Sequence, residues 1–423
     1  MGLQNMNNET IAIRNDLHQL TLLFQDFNVD KELKFNKKTV NQLIHVFSSI
    51  PDFRKKGMVE YKLENIIGIC LILALKGEFT SFYHIAMYVR IKHTYFEKLG
   101  LIEKNKIPSH DTFRRFFMNI NANKLRDSIL NKFYQFMNKI VDAKKGKKMI
   151  SGDGKKFNGS GRKNSINNVN VFNIYDVSNG ICLSSVPLDD KESEIKEFQR
   201  MLPKYNLSNV VVTADALHCQ KETSQIIIDG LGEYVFCVKD NQRLQKEYIE
   251  QSFNNHKEAI HTEQYCDYDL SFIHPGVNNI IGSDWPGEKT YIKVISYKRK
   301  MHKNNVPEVK YYISSSNDIN LIKEAINNRW NIENGLHLFK DTYLKEDECT
   351  FMDKNSIKVM ATLNNIVYGF YRIASAMLNE SMAETKIRYK DDPTKLIATV
   401  MPLLNKDTLP YEIKQKMRGL KNS

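Results

Sequence analysis

Cysteine is present, but it forms no pattern typical of a disulfide framework or a zinc site. The six cysteines stand at positions 70, 182, 219, 237, 266 and 349, with no Cys-x-x-Cys pair and no histidines at metal-ligand spacing. A chain of 423 residues has a core large enough to bury such thiols. We therefore predict reduced, mostly buried cysteines and a reducing compartment.

Long apolar runs are also missing. The strongest run, residues 66–75, is flanked by Lys62, Glu64 and Lys76 and is too short to span a bilayer. Residues 1–20 lack a basic stretch followed by an apolar one, so we predict no secretion signal. The sequence also has no internal repeats or low-complexity tracts. These absences predict a cytoplasmic protein with no membrane partner.

Acidic residues are outnumbered by basic ones. The chain has 61 Lys and Arg against 49 Asp and Glu, for a formal charge of +12. Fixed positive charge attracts polyanions and releases their counterions, which favours nucleic acid over a membrane as the partner. Because the hydrophobic fraction of 42% is that of an ordinary globular protein, the charge belongs to a folded chain.

Hydrophobic periodicity divides the chain into four parts. Residues 1–147 carry apolar residues at helical spacing and predict an all-α domain that binds DNA. Residues 148–254 and 316–378 predict an α/β domain, in which three strands precede alternating helices and strands. Between them, residues 255–315 read as a β-rich insertion rather than a continuation of the sheet, and residues 379–423 as a basic tail.

A short helix in the first part is a candidate for contact with DNA. Ser109 and Asp111 follow Pro108 and are typical of a helix start. The helix then carries Arg114 and Arg115, which suit entry into a DNA groove. A solvated helix face is an equally good explanation of this arginine pair.

Three acids stand where chemistry is expected. Asp153 lies between glycines after a short strand, Asp215 ends the buried strand "VVVTAD", and Glu333 lies in the helical stretch "NNRWNIENGLHLFKD". Each acid has an ordinary explanation: Asp153 as a turn residue, Asp215 as a helix cap, and Glu333 as the helical partner of Arg329 or His337. Together, two carboxylates at strand ends and one on a returning helix form a more specific pattern.

Such a set of carboxylates suits hard divalent cations. Mg²⁺ prefers oxygen ligands and keeps water or phosphate in its remaining positions, and Mn²⁺ is a substitute. Two ions about 4 Å apart activate a water or a 3′-hydroxyl group and stabilise the leaving oxygen. The acids therefore predict phosphodiester chemistry, in agreement with the positive charge.

Several ordered motifs resemble the bacterial DDE transposases of the RNase H-like superfamily, in particular the insertion-sequence branch that includes the H-repeat-associated proteins. "IPDFRKKG" and "IPSHDTFRRFF" are similar to the N-terminal associated domain of that branch. "SGDGKKFNGS" is similar to its first-acid motif, "VTADALHCQK" to the second-acid region and "RWNIENGLHLFKD" to the third. The resemblance covers most of the chain and implies an RNase H-like mixed sheet with helices on both faces.

The resemblance implies that Asp153, Asp215 and Glu333 are the catalytic and metal-binding triad. Related transposases carry Tyr-x2-Arg-x3-Glu-x6-Lys around the third acid, and Arg329, Glu333 and Lys340 match it. On one helix face, Arg329 and Lys340 would hold phosphates beside Glu333. The chain departs from the branch in three places: Ile326 replaces Tyr, His218 stands where Gly is common, and Asn158 where Arg is common.

Further residues near the acids have weaker assignments. Lys155 and Lys239 are candidate DNA contacts, as is Gln242, and Asn334 and His337 are candidate supports for the metal ligands. Solvated or helix-surface side chains are the alternative explanations. Trp330 is more typical of a core or interface than of a base-stacking site. Cys219 beside His218 lacks the third, orienting group that nucleophilic catalysis requires.

The sequence therefore predicts a transposase. It would bind the terminal inverted repeats of its insertion sequence, cleave DNA with two Mg²⁺ ions, and transfer the 3′-hydroxyl ends into double-stranded target DNA. The family implies a homodimer on DNA and a bacterial cytoplasmic protein that lies at the nucleoid when bound. Two alternatives stay open: a catalytically silent or repurposed DNA-binding derivative, and an RNase H-like endonuclease without strand transfer.

Overall fold

A computed structural model describes most of the chain between residues 37 and 404. The described ranges are 37–55, 57, 59–141, 147–157, 169–178, 180–188, 191–255, 261–264, 268–274, 283–297, 307–329, 332–378 and 380–404. Four parts of the sequence discussed above lie outside the described residues: positions 1–36 of the predicted all-α domain, Asn158, Cys266 and Trp330.

Helices and strands occur in the order that the hydrophobic pattern predicts. The strands are β1 (Lys148–Lys156), β2 (Asn170–Asp176), β3 (Ile181–Leu188), β4 (Val210–Ala214), β5 (Glu233–Val238), β6 (His261–Gln264), β7 (Tyr268–Ile273), β8 (Thr290–Ser296) and β9 (Glu308–Ser314). The helices are α1 (Lys37–Phe47), α2 (Leu63–Lys76), α3 (Phe82–Ile91), α4 (His93–Leu99), α5 (His110–Asn119), α6 (Ala122–Val141), α7 (Lys191–Met201), α8 (Lys221–Asp229), α9 (Arg243–Asn255), α10 (Ile319–Asn328), α11 (Leu338–Leu344), α12 (Lys354–Leu378), α13 (Met382–Tyr389) and α14 (Pro393–Leu404).

The described strands form one nine-stranded mixed sheet in the order β3-β2-β1-β4-β5-β9-β8-β7-β6. β1, β4 and β5 are parallel neighbours, while β2 and β3 form the predicted antiparallel hairpin at one edge. The prediction of an RNase H-like mixed sheet is confirmed. The expectation that residues 255–315 lie outside this sheet is wrong, because β9 pairs antiparallel with β5 and the inserted strands extend it.

Helices cover both faces of the sheet. Side chains alternate between the two faces along a strand. Accordingly, Val210 and Val212 of β4 belong to one buried apolar cluster, which includes Phe198 of α7. Val211, between them, belongs to the other cluster with Ile322 of α10.

The all-α part shares its core with the sheet. Helix α12 contacts β3 as well as α2, α5 and α6, as expected from its broad apolar face. The Tyr175 and Tyr368 hydroxyl groups lie 2.9 Å apart where α12 meets β2. None of the described helices combines the length and the apolar character needed to cross a bilayer.

The expected basic tail is wrong for residues 380–404. Leu396 and Val400 of α14 are fully buried, and α14 contacts α1, α2 and α12. In α13, the Lys386 ammonium donates to the Leu75 carbonyl oxygen at 2.8 Å. Several lysines had suggested an appendage, but apolar residues at helical spacing between them form core contacts. Residues 405–423 lie outside the described part.

The stretch that carries the third acid is not one continuous α-helix. After α10 ends, Ile332–His337 forms a π-helical turn, and α11 follows it directly. A π-turn bonds residues five apart, so the four- and seven-residue spacing no longer keeps side chains on one face. The predicted common face of Arg329, Glu333 and Lys340 is therefore wrong: the first two are partly exposed, while Lys340 is only 1% exposed.

Candidate active site

Two aspartates lie side by side at the carboxyl edge of the parallel strands. Gly152 of β1 is the register partner of Ala214 of β4, and Asp153 and Asp215 are the next residues along each strand. Asp215 also caps the following turn, since its Oδ1 accepts a hydrogen bond from the Leu217 backbone amide at 3.0 Å. The capping explanation is thus correct. The cap uses only Oδ1, and the Asp215 side chain is 41% exposed, so the carboxylate can still bind another group.

Asp153 experiences strong repulsion from other acids. Burial raises the pKa of its carboxyl group, and the charges of Glu333, Asp215 and Glu194 raise it further, to about 8. Arg329 opposes this shift. Glu333 lies on the π-turn, which contacts β1. The fold therefore gathers the three predicted acids near one another, together with a fourth.

The fourth acid, Glu194, is absent from the sequence-based prediction. It lies on α7 and is 7% exposed, with its Oε1 3.3 Å from Nε2 of the fully buried His218. A Cβ atom at Gly154 would lie 2.5 Å from Glu194 Oε1, so this glycine lets the carboxylate approach β1. The available signal was helical spacing, because Glu194 lies four residues before Phe198 on the buried face of α7.

A chain of polar side chains leads from the protein interior to Asp153. The Oδ1 atom of Asn173 accepts from the Ser185 hydroxyl at 2.5 Å and lies 3.4 Å from the Lys340 ammonium. This leaves the Asn173 amide nitrogen to donate to His337 Nε2, which is 3.2 Å away. His337 Nδ1 then bears the hydrogen and lies 3.4 Å from Asp153 Oδ2.

His337 is held neutral in this position. Burial lowers the pKa of its imidazole to about 3, and the Lys340 and Lys155 charges act in the same direction. A neutral ring with a defined tautomer acts as a hydrogen-bond donor to Asp153. Asn173 was missed in the sequence, although an amide in the middle of the otherwise apolar and aromatic stretch "VFNIY" was a signal for it.

A second group of acids is neutralised by buried lysines. The Lys155 ammonium contacts Asp341 and lies 2.9 Å from Glu346 Oε2, and Lys340 Nζ lies 3.9 Å from Glu346 Oε1. Burial alone would raise the pKa of Glu346, but Lys340 and Lys155 lower it to about 2. In this arrangement the two ammonium groups form ion pairs with carboxylates of the protein. The predicted phosphate contacts of Lys155 and Lys340 stay predictions.

The open acid cluster consists of Asp153, Glu194, Asp215 and Glu333. The paired acid cluster consists of Lys155, Lys340, Asp341, Glu346 and Asp347. Asp153 and Lys155 lie two residues apart on β1, so both clusters adjoin the same strand end.

The remaining predicted contacts are distributed over the surface. Lys239 is exposed just after β5, at the carboxyl edge of the parallel strands, and Asn334 is exposed on the π-turn. Gln242 donates to the Gln220 side chain at 2.9 Å, in the loops beside Asp215. Ile326 packs, partly buried, against the apolar cluster that includes Ile322.

The arginine pair of the first part lies on α5. Ser109 caps this helix as predicted, accepting from the Thr112 amide at 3.3 Å. Arg114 and Arg115 are exposed, and Arg114 Nε lies 3.6 Å from Asp111. Their predicted contact with DNA stays a prediction.

The described cysteines are free and buried, as expected: Cys70, Cys182, Cys219, Cys237 and Cys349. Burial raises the pKa of the Cys219 thiol, which disfavours the thiolate that nucleophilic catalysis needs. The structure therefore gives no support to a Cys219–His218 pair as a nucleophile.

The open acid cluster suits a hard divalent cation in its chemistry. Carboxylate oxygens are the ligands that Mg²⁺ prefers, and a cation would offset both the burial and the neighbouring negative charges that raise the pKa of Asp153. Across the described ranges, however, no three Asp, Glu, His or Cys side chains converge closely enough to form a ready metal cage. The residues fit the ion, but binding would have to draw them together.

Comparison with known proteins gives matches over most of the chain. Residues 44–132 match the family model described as DDE_Tnp_1-associated, and residues 139–370 match the one described as Transposase DDE domain. In Escherichia coli O157:H7, the "Putative transposase YncI" is 25% identical over 368 residues, or 79% of this chain and 88% of the relative. In Escherichia coli K12, the "H repeat-associated putative transposase YhhI" is 26% identical over 354 residues, or 77% and 89%.

A solved structure also shows similarity. It is the piggyBac transposase synaptic complex with hairpin DNA, whose chain is 11% identical and superposes with a TM-score of 0.42. The match covers 91% of this chain and 83% of that one.

Proposed function

Because this chain belongs to the DDE transposase family, we propose that it binds the terminal inverted repeats of an insertion sequence, cleaves DNA strands there and joins the freed 3′-hydroxyl ends to target DNA. The open acid cluster would carry both the cleavage and the joining step. A repeated in-line displacement at phosphorus, first by water and then by a 3′-hydroxyl, requires only one such site.

The observation that carries this proposal is the mutual position of three acids. Asp153 and Asp215 directly follow Gly152 and Ala214, the last pair of the parallel β1–β4 ladder, and Glu333 lies close enough to raise the pKa of Asp153. A fold gains no stability from gathering acids whose charges repel, so their juxtaposition points to function.

The chain's own residues would divide the work around the scissile phosphate. Asp153, Asp215 and Glu333 would hold divalent cations, whose use is general in this family and whose charge would activate the attacking oxygen and stabilise the leaving one. His337 would keep Asp153 oriented through its Nδ1 hydrogen. Arg329, whose charge lowers the pKa of Asp153, would hold a phosphate at the same edge.

The test is a cleavage and joining assay with the purified chain. The substrate is a duplex that carries one end of the element with flanking DNA, incubated with Mg²⁺ and a supercoiled target plasmid. Asp215→Asn and Glu333→Gln should each lower the cleavage rate about 10³-fold, because several kcal/mol of charge stabilisation is lost. Asp391→Asn changes an exposed acid in the loop after α13 and is the matched control.

The outcomes separate the alternatives. Cleavage and joining that both depend on the two acids support a transposase. Cleavage without joined product supports an endonuclease without strand transfer, and specific binding without either reaction supports a repurposed DNA-binding protein. Unchanged cleavage in both acid variants would contradict the assignment of the site.

We expect two copies of the chain to hold the two element ends, as a homodimer on DNA, in the bacterial cytoplasm at the nucleoid. Mass photometry of the chain with and without end duplex measures the copy number, and a single copy on paired ends would contradict the dimer.

A further inference from the structure

A cleft of about 770 Å³ lies on the α7 face of the sheet, near the first residues of the parallel strands β1 and β4. It is bordered by α6, the first residues of β1, the end of α7 and one turn of α12. Five basic side chains line it: Arg126, Lys148, Arg200, Lys204 and Lys358. We call it the basic cleft. Its lining also includes two acidic residues, Asp127 and Asp176.

The basic cleft is separate from Asp153 of the open acid cluster. Lys148 lies at the start of β1 and Asp153 towards its other end. At about 3.3 Å per residue, the strand keeps these residues roughly 17 Å apart. Asp153 and Met149 also point to the α10 face, whereas Ile150, which lines the cleft, points to the α7 face.

The cleft has more positive charge than its acids neutralise. Arg126 Nε donates to Asp127 at 2.8 Å, and Arg200 Nε donates to Glu197 at 2.8 Å. In contrast, no described acid lies within 4.0 Å of Lys358, and Lys204 Nζ contacts only the sulfur of Met201 among described polar atoms. Two ammonium groups are thus available to a ligand.

The half-buried Lys358 is affected by this excess of positive charge. Burial lowers the pKa of its ammonium, and the nearby charges of Arg126, Arg200 and Lys204 lower it further, while Glu197 acts in the opposite direction. An anion in the cleft would reverse this effect, because it would supply the counter-charge that the surrounding side chains do not.

We propose that the basic cleft binds the phosphodiester backbone of DNA, at a position distinct from the phosphate cleaved at the open acid cluster. The cations come from four separate elements, α6, β1, the α7 region and α12, which suits a series of phosphates better than a single ion. Asn123, Asn206 and Ser208 line the same cleft and add neutral hydrogen-bonding groups. The identity of the polyanion as DNA rests on the proposed function; the site itself rests on the cleft.

The first test measures lysine protection in the unmodified chain. The protein is acetylated with an amine-reactive reagent, without divalent cations, and each lysine is quantified by mass spectrometry. A duplex extending beyond the element end, at about ten times its Kd, should lower the acetylation of Lys204 and Lys358 roughly tenfold. Lys390, just before α14, and Lys395, in its first turn, are exposed and should stay equally reactive.

Parallel samples distinguish the source of the phosphate. Inorganic phosphate and a mononucleotide are added at the phosphate concentration of the duplex, and neither should protect Lys358. Protection by these small anions but not by the duplex would overturn the proposal. So would full reactivity of both lysines under conditions in which fluorescence anisotropy shows the duplex to be bound.

The second test changes the charge of the cleft. The double variant Lys204→Glu, Lys358→Glu should reduce the salt dependence of duplex binding, with a slope of log Kd against log salt that is smaller by about 1.8 for two lost phosphate contacts. The double variant Lys390→Glu, Lys395→Glu makes the same charge change outside the cleft. An equal change of slope in both variants would show a general charge effect and contradict a site.

These tests fail separately from the proposed function. They measure binding without divalent cations, so an inactive catalytic site leaves their result unchanged. Conversely, if cleavage were intact but the cleft lysines were not protected, the proposed function would stand and only the proposed DNA site in the basic cleft would be contradicted.

Discussion

The open and the paired acid clusters adjoin the same end of β1, yet they have opposite electrostatics. In the open cluster, burial and neighbouring acids raise the pKa of Asp153 to about 8. In the paired cluster, Lys155 and Lys340 overcome the effect of burial and lower the pKa of Glu346 to about 2. One group of carboxylates lacks its counter-charge, and the other receives it from the protein.

The contrast distinguishes carboxylates that stabilise the fold from carboxylates that are available to bind a cation. Buried ions that are fully paired hold a fold in register, and removal of one partner is costly. Buried acids without enough cations destabilise the fold until a cation binds. The family motif associates Lys340 with Glu333. In the structure, Lys340 belongs to the paired acid cluster, and its ammonium lies 3.4 Å from Asn173 Oδ1.

The largest expected effect on stability comes from breaking the paired cluster. Glu346→Gln should lower the free energy of unfolding by about 3–5 kcal/mol at pH 7, because Lys155 and Lys340 would remain buried without their shared carboxylate. Glu348→Gln, in the same turn but exposed, is the matched control. The folded pKa of Glu346 lies below its unfolded value, so the difference should persist above pH 4.5 and disappear as the pH falls towards 2.

Guanidinium unfolding of these two variants and the parent chain, followed by circular dichroism, measures the effect. An equal loss in Glu346→Gln and Glu348→Gln would contradict the distinction between a buried, shared carboxylate and an exposed one.

A smaller effect of opposite sign is expected in the open cluster. Without divalent cations, Asp153→Asn should raise the free energy of unfolding at pH 8 by about 2–4 kcal/mol, because it removes a carboxylate that repels its neighbours. The folded pKa of Asp153 lies above its unfolded value, so its contribution favours folding at low pH and is lost as the pH rises towards 8.

The advantage of Asp153→Asn should therefore vanish below pH 4 and grow between pH 4 and 8. Thermal unfolding across this range, with Asp391→Asn as the control, tests the trend. A destabilised Asp153→Asn protein at pH 8 would show that the acids are satisfied within the chain.

The smallest effect is expected where the two clusters meet. Asn173→Ala removes the amide that orients His337 and accepts from Lys340, so the cleavage rate should fall about 10–100-fold with the fold retained. Asn173→Asp is the informative companion, because it keeps an acceptor for Lys340 but removes the donor to His337. If Asn173→Asp cleaved at the parent rate, the orienting role of Asn173 would be wrong.

The residues that strand patterns determine were predictable, and those that depend on helix packing were not. Asp153 and Asp215 follow from buried strands whose ends meet at one edge. Glu194 was missed because its approach to β1 depends on how α7 packs over Gly154, which a linear pattern does not specify. The depth of Lys340 depends on the π-turn, which shifts every later side chain relative to an α-helical count.

The same limit applies to the fold. The strands of the insertion were found from their composition, but their pairing with β5 is a long-range contact that no local signal encodes. Helix α14 was missed because basic residues before and after it gave the segment the composition of a basic tail. The mixed sheet itself was predictable because alternating helices and strands, with a hairpin before them, permit few arrangements.

The most direct test of the account is the stabilisation of the protein by divalent cations. Saturating Mg²⁺ or Mn²⁺ should raise the free energy of unfolding of the parent chain by about 2.7 kcal/mol at a hundred times the Kd. Glu348→Gln should respond equally, and Asp153→Asn should lose most of the response. Equal stabilisation of the parent chain and Asp153→Asn would show that cations bind elsewhere, and it would contradict the assignment of the open acid cluster as the catalytic metal site.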